Sequence, residues 1–171
     1  DVDGAYNWSP DGLTYPYRGK GVKILSLNVV LDSFPQQVYD IEIKQHDPPL
    51  ENDLCDLLRQ YGVAYDQVIV ASFSDETLTR FQHACPEVAT SLPVNQGTIL
   101  YILSRVGLER LLSLDAVVAQ LPRSFSTKLG ELELDRRYIN AFAKGDRQVW
   151  VWTVNDSIEM RRMVNMGVHG I

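Results

Sequence analysis

The chain predicts an α/β protein built on a parallel sheet, and three observations carry that prediction. Strand-like and helix-like runs alternate along the sequence. The strands are nearly all apolar, and most end on a polar residue: Lys44, Ser72, Ser91, Gln120 or Asn155. Such alternation makes parallel strands joined by helices, and continuous apolar strands imply a sheet covered on both faces. A doubly wound sheet also fits this pattern, but polar strand ends suit a closed barrel with a functional mouth at the C-terminal ends of its strands. No glycine-rich phosphate loop follows any strand, which counts against a dinucleotide or nucleoside triphosphate site.

Residues 1–22 are rich in Gly, Pro, Tyr and Asp without helical period, and read as a long loop or small insertion. Leu27, Val30, Leu31 and Phe34 have the spacing of a short amphipathic helix capped by Ser26 and stopped by Pro35. A strand follows to Lys44. A helix begins near Pro49, with Leu50, Leu54, Leu57 and Leu58 as its apolar face and Tyr61-Gly62 as its end. Val68 to Phe73 reads as a strand, Ser74 to Ala84 as a capped helix, and Val88 to Ser91 as a short strand. Gly97 to Leu112 is expected to be helical, Ala116 to Gln120 a buried strand, Asp135 to Lys144 helical and Gln148 to Val154 a strand. A last helix runs from its cap Ser157 to Met166 and ends at Gly167, before the start of a sixth strand at Val168 to Ile171.

The segment Tyr39-Asp40-Ile41-Glu42-Ile43-Lys44 carries the chemistry. Side chains alternate across a strand, so Glu42 and Lys44 share one face while Ile41 and Ile43 pack on the other. In a parallel barrel the charged face opens into the mouth. A carboxylate there suits a hard cation, and an ammonium beside it suits an anionic oxygen. A solvated salt bridge on an ordinary strand is the competing reading.

With 45% hydrophobic and 22% charged residues, the 171-residue chain can bury one real core. Its net charge of -6 lacks the basic stripe that nucleic acid requires. Apolar runs such as Leu54 to Leu58 fall far short of the roughly 20 residues of a membrane span. Cys55 and Cys85 sit in apolar helical settings and are expected as buried thiols. The start at Asp1 and the end within an apparent strand suggest a piece of a longer protein. A cytoplasmic location is expected, with periplasm or secretion left open.

Ile41-Glu42-Ile43-Lys44, Val68 to Phe73, Cys85-Pro86-Glu87-Val88-Ala89-Thr90-Ser91, Val151-Trp152-Thr153-Val154-Asn155-Asp156 and Met160-Arg161-Arg162-Met163 together resemble the glycerophosphodiester phosphodiesterase family, bacterial type. Tyr6-Asn7-Trp8 through Gly21 is similar to the segment that closes the family's small insertion, which divides the chain into residues 1–22 and a barrel portion at 23–171. The resemblance implies a (β/α)₈ TIM barrel, present here only in part. Its first two strands, with their His-Arg, Glu-x-Asp and His-Asp motifs, are missing, and its last strand is cut. It also implies hydrolysis of glycerophosphodiesters to glycerol 3-phosphate and an alcohol, with magnesium or calcium as cofactor.

By that resemblance Glu42 is a metal ligand, Lys44 lies near the phosphate and Trp152 lines the substrate pocket. Phe73, Gln120 and Asn155 are further candidates for substrate contact. No catalytic residue is assigned within the chain, since His46, His83 and His169 match none of the family's catalytic positions, and the chain alone is expected to be inactive. Leu25-Ser26-Leu27-Asn28-Val29 also departs from the family's Pro-Thr-Leu-Glu-Glu. The alternative is a non-catalytic binding module that keeps the remaining strands, with self-association through the open sheet edge.

Overall fold

The computed structural model describes residues 9–127 and 130–171, so the expected turn at Tyr6-Asn7-Trp8 lies outside the described residues. From residue 9 to 26 the chain makes turns and bends without a helix or strand, as its Gly and Pro content predicts. Helix α1 (Leu27–Ser33) then lays Leu27, Val30 and Leu31 on the first core. Ser26 occupies its N-cap position, but only its carbonyl is used, accepting from Val29 and Val30 N–H.

Strands β1 (Tyr39–Glu42), β2 (Val68–Ala71) and β3 (Ala89–Thr90) form a parallel sheet in chain order, with register Tyr39↔Val68 through Glu42↔Ala71. The sheet's outward side chains, among them Tyr39, Ile43, Val68 and Val70, pack on α2 (Glu51–Gln60) and α3 (Asp75–Ala84) through Leu54, Leu58 and Phe81. This is the apolar half of the alternation read from Tyr39 to Lys44. The regular ladder stops at Glu42, yet Ile43 N–H still donates to Ala71 O at 2.8 Å, so the extended course continues one residue further.

The second part comprises α4 (Val94–Val106), β4 (Val118–Pro122), β5 (Ser124–Thr127), β6 (Gly130–Glu133), α5 (Arg136–Phe142), β7 (Gln148–Trp152) and α6 (Ser157–Met166). Strands β4 and β7 pair parallel, and their outward Ala119, Val149 and Val151 pack on Tyr138, Ile139 and Phe142. Single parallel bridges Ser91↔Val118 and Trp150↔Gly170 continue the ladder, so the parallel strands follow one another in space as in sequence. Among the described residues the ladder does not close. Gly170 is required at its bridge, because a Cβ there would lie 2.8 Å from the Trp150 ring.

Four expectations need correction. Cys55 and Cys85 are not free thiols: they form a buried disulfide with Cα atoms 5.6 Å apart, tying α2 to the end of α3. Helix α4 starts at Val94 rather than Gly97, because the distant Asp75 carboxylate accepts from Val94 and Asn95 N–H at 2.7 and 2.9 Å and supplies its missing cap. It stops at Val106, since Gly107 adopts φ +75°, and a separate 3₁₀ turn spans Glu109–Leu111. The cap of α6 is Asp156, whose carboxylate accepts from Ile158 and Glu159 N–H at 2.9 Å each, not Ser157. The antiparallel hairpin β5–β6 was not foreseen; it branches from the end of β4. No described helix is long and apolar enough to cross a membrane.

Candidate active site

The inner face of the curved sheet carries a cavity of about 430 Å³ at the C-terminal ends of its strands. Strand β1 contributes Asp40 and Glu42, and Lys44 follows just past its end. The β2 end gives Ala71, Ser72 and Phe73, and the β3 end gives Ser91 and Leu92. Gln120 reaches it from β4 and Trp152 from β7.

Lys44 Nζ lies 3.4 Å from Glu42 Oε2 at an exposed position. Such a pair contributes at most about 1 kcal/mol, so both groups are free to turn toward a ligand. Behind them, Ser72 Oγ donates to Ile43 O at 2.8 Å and accepts from Ser74 N–H at 3.2 Å, which pins the end of β1 to β2 and leaves that hydroxyl occupied. Across the cavity Gln120 Nε2 donates to Asp40 Oδ1 at 2.8 Å, joining β1 to β4. Phe73 and Trp152 meet edge to face with ring centroids 5.7 Å apart. They are 62% and 40% exposed, so they wall the cavity and are not packed into a core.

The loop after β1 is fixed from outside. Arg80 holds the buried Glu51 carboxylate at 2.7 Å and donates to His46 O at 3.3 Å. His46 Nδ1 lies 3.0 Å from Thr77 Oγ1. Burial raises the Glu51 carboxyl, but the Arg80 hydrogen bonds and charge outweigh it, so Glu51 stays below the ordinary glutamate range. This pair of a buried Glu51 and a half-buried Arg80 therefore helps to set the loop that carries Lys44 onward.

Of the residues singled out from the sequence, Glu42, Lys44, Phe73, Gln120 and Trp152 come together in this one cavity. Asn155 does not: it lies exposed beyond β7, outside the cavity lining. None of the three histidines lines the cavity. His46 sits on the outer loop, His83 is exposed on α3, and His169 Nδ1 accepts from Val149 N–H at 3.1 Å. Two polar lining residues, Asp40 and Ser91, went without a role in the sequence reading. Asp40 was legible by the same period of two that marks Glu42 and Lys44. Ser91 had been marked only as a strand end. Carboxylate oxygens are the right donors for a hard cation, and Glu42 is the one whose carboxylate faces the mouth beside Lys44.

The family model for the glycerophosphoryl diester phosphodiesterase family matches residues 13–171. The chain belongs to that family. Among solved structures, the glycerophosphoryl diester phosphodiesterase domain of a Mycobacterium tuberculosis protein superposes with TM-score 0.78 at 14% identity, over 98% of this chain and 67% of that one. A glycerophosphodiester phosphodiesterase from Agrobacterium tumefaciens gives 0.60 at 18% identity, covering 88% and 58%. One from Parabacteroides distasonis gives 0.55 at 17%, covering 90% and 61%. At these identities the likeness is one of fold. The chain spans between 58% and 67% of the lengths of these three structures. A comparison with curated protein sequences finds no match.

Proposed function

We propose that this chain is the larger part of a (β/α)₈ barrel that hydrolyses glycerophosphodiesters, such as those of choline and ethanolamine, to glycerol 3-phosphate and an alcohol. The observation that carries the reading is the convergence of the neighbouring Glu42 and Lys44 with the sequence-distant Trp152 on one cavity at the strand ends of a family member. The parallel strands in chain order, and a β1 edge that no strand among the described residues pairs with, support an arc of a barrel, with residues 1–22 as the end of a small insertion. Exposed Val38, which directly precedes β1, is apolar surface that a further strand would cover, and through such an open edge isolated copies of the chain would self-associate.

In the reaction a water oxygen bonds to phosphorus, the bond from phosphorus to the head-group oxygen breaks, and that oxygen takes up a proton. Lys44 holds an equatorial phosphoryl oxygen by charge and hydrogen bonding, and Glu42 is the chain's ligand to a divalent cation, magnesium or calcium. When bound, that cation neutralises charge developing on the phosphoryl oxygens. Trp152 and Phe73 bound the mouth where the alcohol leaves. One carboxylate does not hold such a cation firmly, and no histidine reaches the cavity. These two facts support the reading that the chain alone is inactive and that the remaining ligands and proton carriers lie on other strands.

The Cys55–Cys85 disulfide favours an oxidising compartment over the cytoplasm first expected. The test uses the protein expressed from its complete gene, assayed with glycerophosphocholine and glycerophosphoethanolamine. Glu42→Gln is expected to lower kcat/KM by about a hundredfold or more, with activity of the parent abolished by chelator and restored by magnesium or calcium. Unchanged turnover in Glu42→Gln would refute the assignment.

A further inference from the structure

A second cleft, of about 140 Å³, opens beside the cavity and takes no part in the chemistry above. The two share Phe73, Leu92, Val94 and Gln120 as a common wall, so a ligand in one extends readily into the other. Beyond Phe73 the cleft is walled by Leu121 near the end of β4, Tyr138 of α5 and Phe125 of β5. Phe125 is brought there by the hairpin that interrupts the strand–helix alternation. Its ring meets Tyr101 of α4 edge to face with centroids 5.9 Å apart, and Leu134 N–H donates to Arg123 O at 2.9 Å across the hairpin base. The hairpin thereby holds an aromatic wall against the cleft.

The polar side chains that line this cleft are already engaged. Tyr138 Oη donates to Gly97 O at 3.3 Å, Thr98 Oγ1 to Val94 O at 3.0 Å and Gln120 Nε2 to Asp40 Oδ1 at 2.8 Å. Walls of this kind offer a ligand mostly carbon to touch, so water gains little there and hydrocarbon gains most. The volume is close to that of an apolar cavity that takes one benzene-sized molecule, roughly six carbons.

We propose that this cleft binds a hydrocarbon chain on the alcohol half of the diester, so that the protein's substrates include glycerophosphodiesters of linear alkyl alcohols up to about six carbons long. This rests on the reading of Glu42 and Lys44 as the phosphate end and of Phe73 as a wall of the mouth where the alcohol leaves. The reaction is unchanged: a water oxygen bonds to phosphorus, the bond from phosphorus to the alkyl oxygen breaks, and that oxygen leaves with a proton. The apolar contacts are the same before and during that step. They therefore act as uniform binding, lowering KM and leaving kcat nearly constant.

The experiment uses the protein expressed from its complete gene and the ethyl, butyl, hexyl and octyl esters of glycerol 3-phosphate. From ethyl to hexyl, kcat/KM is expected to rise about two- to fourfold per methylene, mostly through KM, and to level off at octyl. Thr98→Phe, which fills the cleft from α4, should cut the hexyl-to-ethyl ratio of kcat/KM at least about tenfold. Phe125→Ala, which removes a wall, should cut it several-fold. A flat series in the parent, or a ratio that both substitutions leave unchanged, would overturn the cleft. So would turnover of glycerophosphoethanolamine with none of the alkyl esters. If Thr98→Phe does not fold by circular dichroism, Phe125→Ala gives the same readout. If the parent cleaves neither glycerophosphoethanolamine nor any alkyl ester, the hydrolase reading fails, and calorimetry with hexyl phosphate against ethyl phosphate decides the cleft alone. Tighter binding of hexyl phosphate that is lost in either variant upholds it; equal binding, or none, overturns it.

Discussion

The half of the molecule built on β1 to β3 and the half built on β4 and β7 are stabilised differently. The first half buries the Glu51 carboxylate against a half-buried Arg80, buries Thr77 as well, and closes its outer layer with a disulfide. The second half relies on large apolar and aromatic groups: Tyr138 and Phe142 are fully buried, and Tyr101 packs against both Tyr138 and Phe125. The difference goes with charge on the inner face of β1. A strand carrying Asp40 and Glu42 inward has only its outward face for packing, so that face is reinforced by a covalent tie and by Arg80 acting on the following loop. Strand β4 places only Gln120 in the cavity and needs no such support.

The largest expected effects test whether the halves form one cooperative unit. Phe81→Ala in the first core and Phe142→Ala in the second should each cost about 3–5 kcal/mol in urea unfolding, because both rings are fully buried. The ladder bridge Ser91↔Val118 and the Asp40–Gln120 hydrogen bond link the halves, so both substitutions should move one shared transition. Two separate transitions, each answering to one substitution, would break that link.

Next in size is the disulfide, which closes a loop of 30 residues in the first half only. Replacing both cysteines by alanine should cost about 3–4 kcal/mol, or roughly 10 °C in Tm for a chain of this length. Thiol titration of the parent, unfolded without reductant, should find no free thiol. Two reactive thiols per chain would show that the halves differ less than the geometry implies.

Much of the first half was legible in the sequence, and the reason is local. The period-two alternation from Tyr39 to Lys44 states directly which side chains face the cavity, and the Leu spacing of α2 states which face meets the sheet. What escaped was set by contacts distant in sequence. Asp75 caps α4 from 19 residues away, so Val94 and Asn95 join a helix that local pattern starts at Gly97. The cysteines lie in apolar helical runs that read as buried thiols, and only the packing of α2 on α3 brings them within bonding distance. In the second half the hairpin β5–β6 interrupts the strand–helix alternation with polar, short strands that carry little periodic signal. Asn155 was drawn in by strand-end position alone, and the chain leaves the sheet before reaching it.

The smallest effect separates the halves by pH. Glu51 in the first half and Asp135 in the second both have carboxyls held below the ordinary range, where burial is outweighed by Arg80 in one case and Arg105 in the other. Each lowered group contributes stability that is complete above its unfolded value, about pH 4.3 for glutamate and 3.9 for aspartate, and lost as pH falls through the folded value. Glu51 is 4% exposed and shares Arg80 with the loop carrying His46, whereas the Asp135 side chain is 44% exposed and also accepts from Tyr138 N–H as the cap of α5. Glu51→Gln should therefore cost about 1.5–3 kcal/mol at neutral pH and flatten the acid limb of the stability curve. Asp135→Asn keeps a capping oxygen and an exposed site, and should cost about 1 kcal/mol or less, with little change in that limb. Urea unfolding followed from pH 7 down to about pH 3 reads both. Equal flattening by the two substitutions would mean that burial of the Glu51 carboxylate, and with it the proposed backing of the β1 loop, does not distinguish the half that carries the charged end of the cavity.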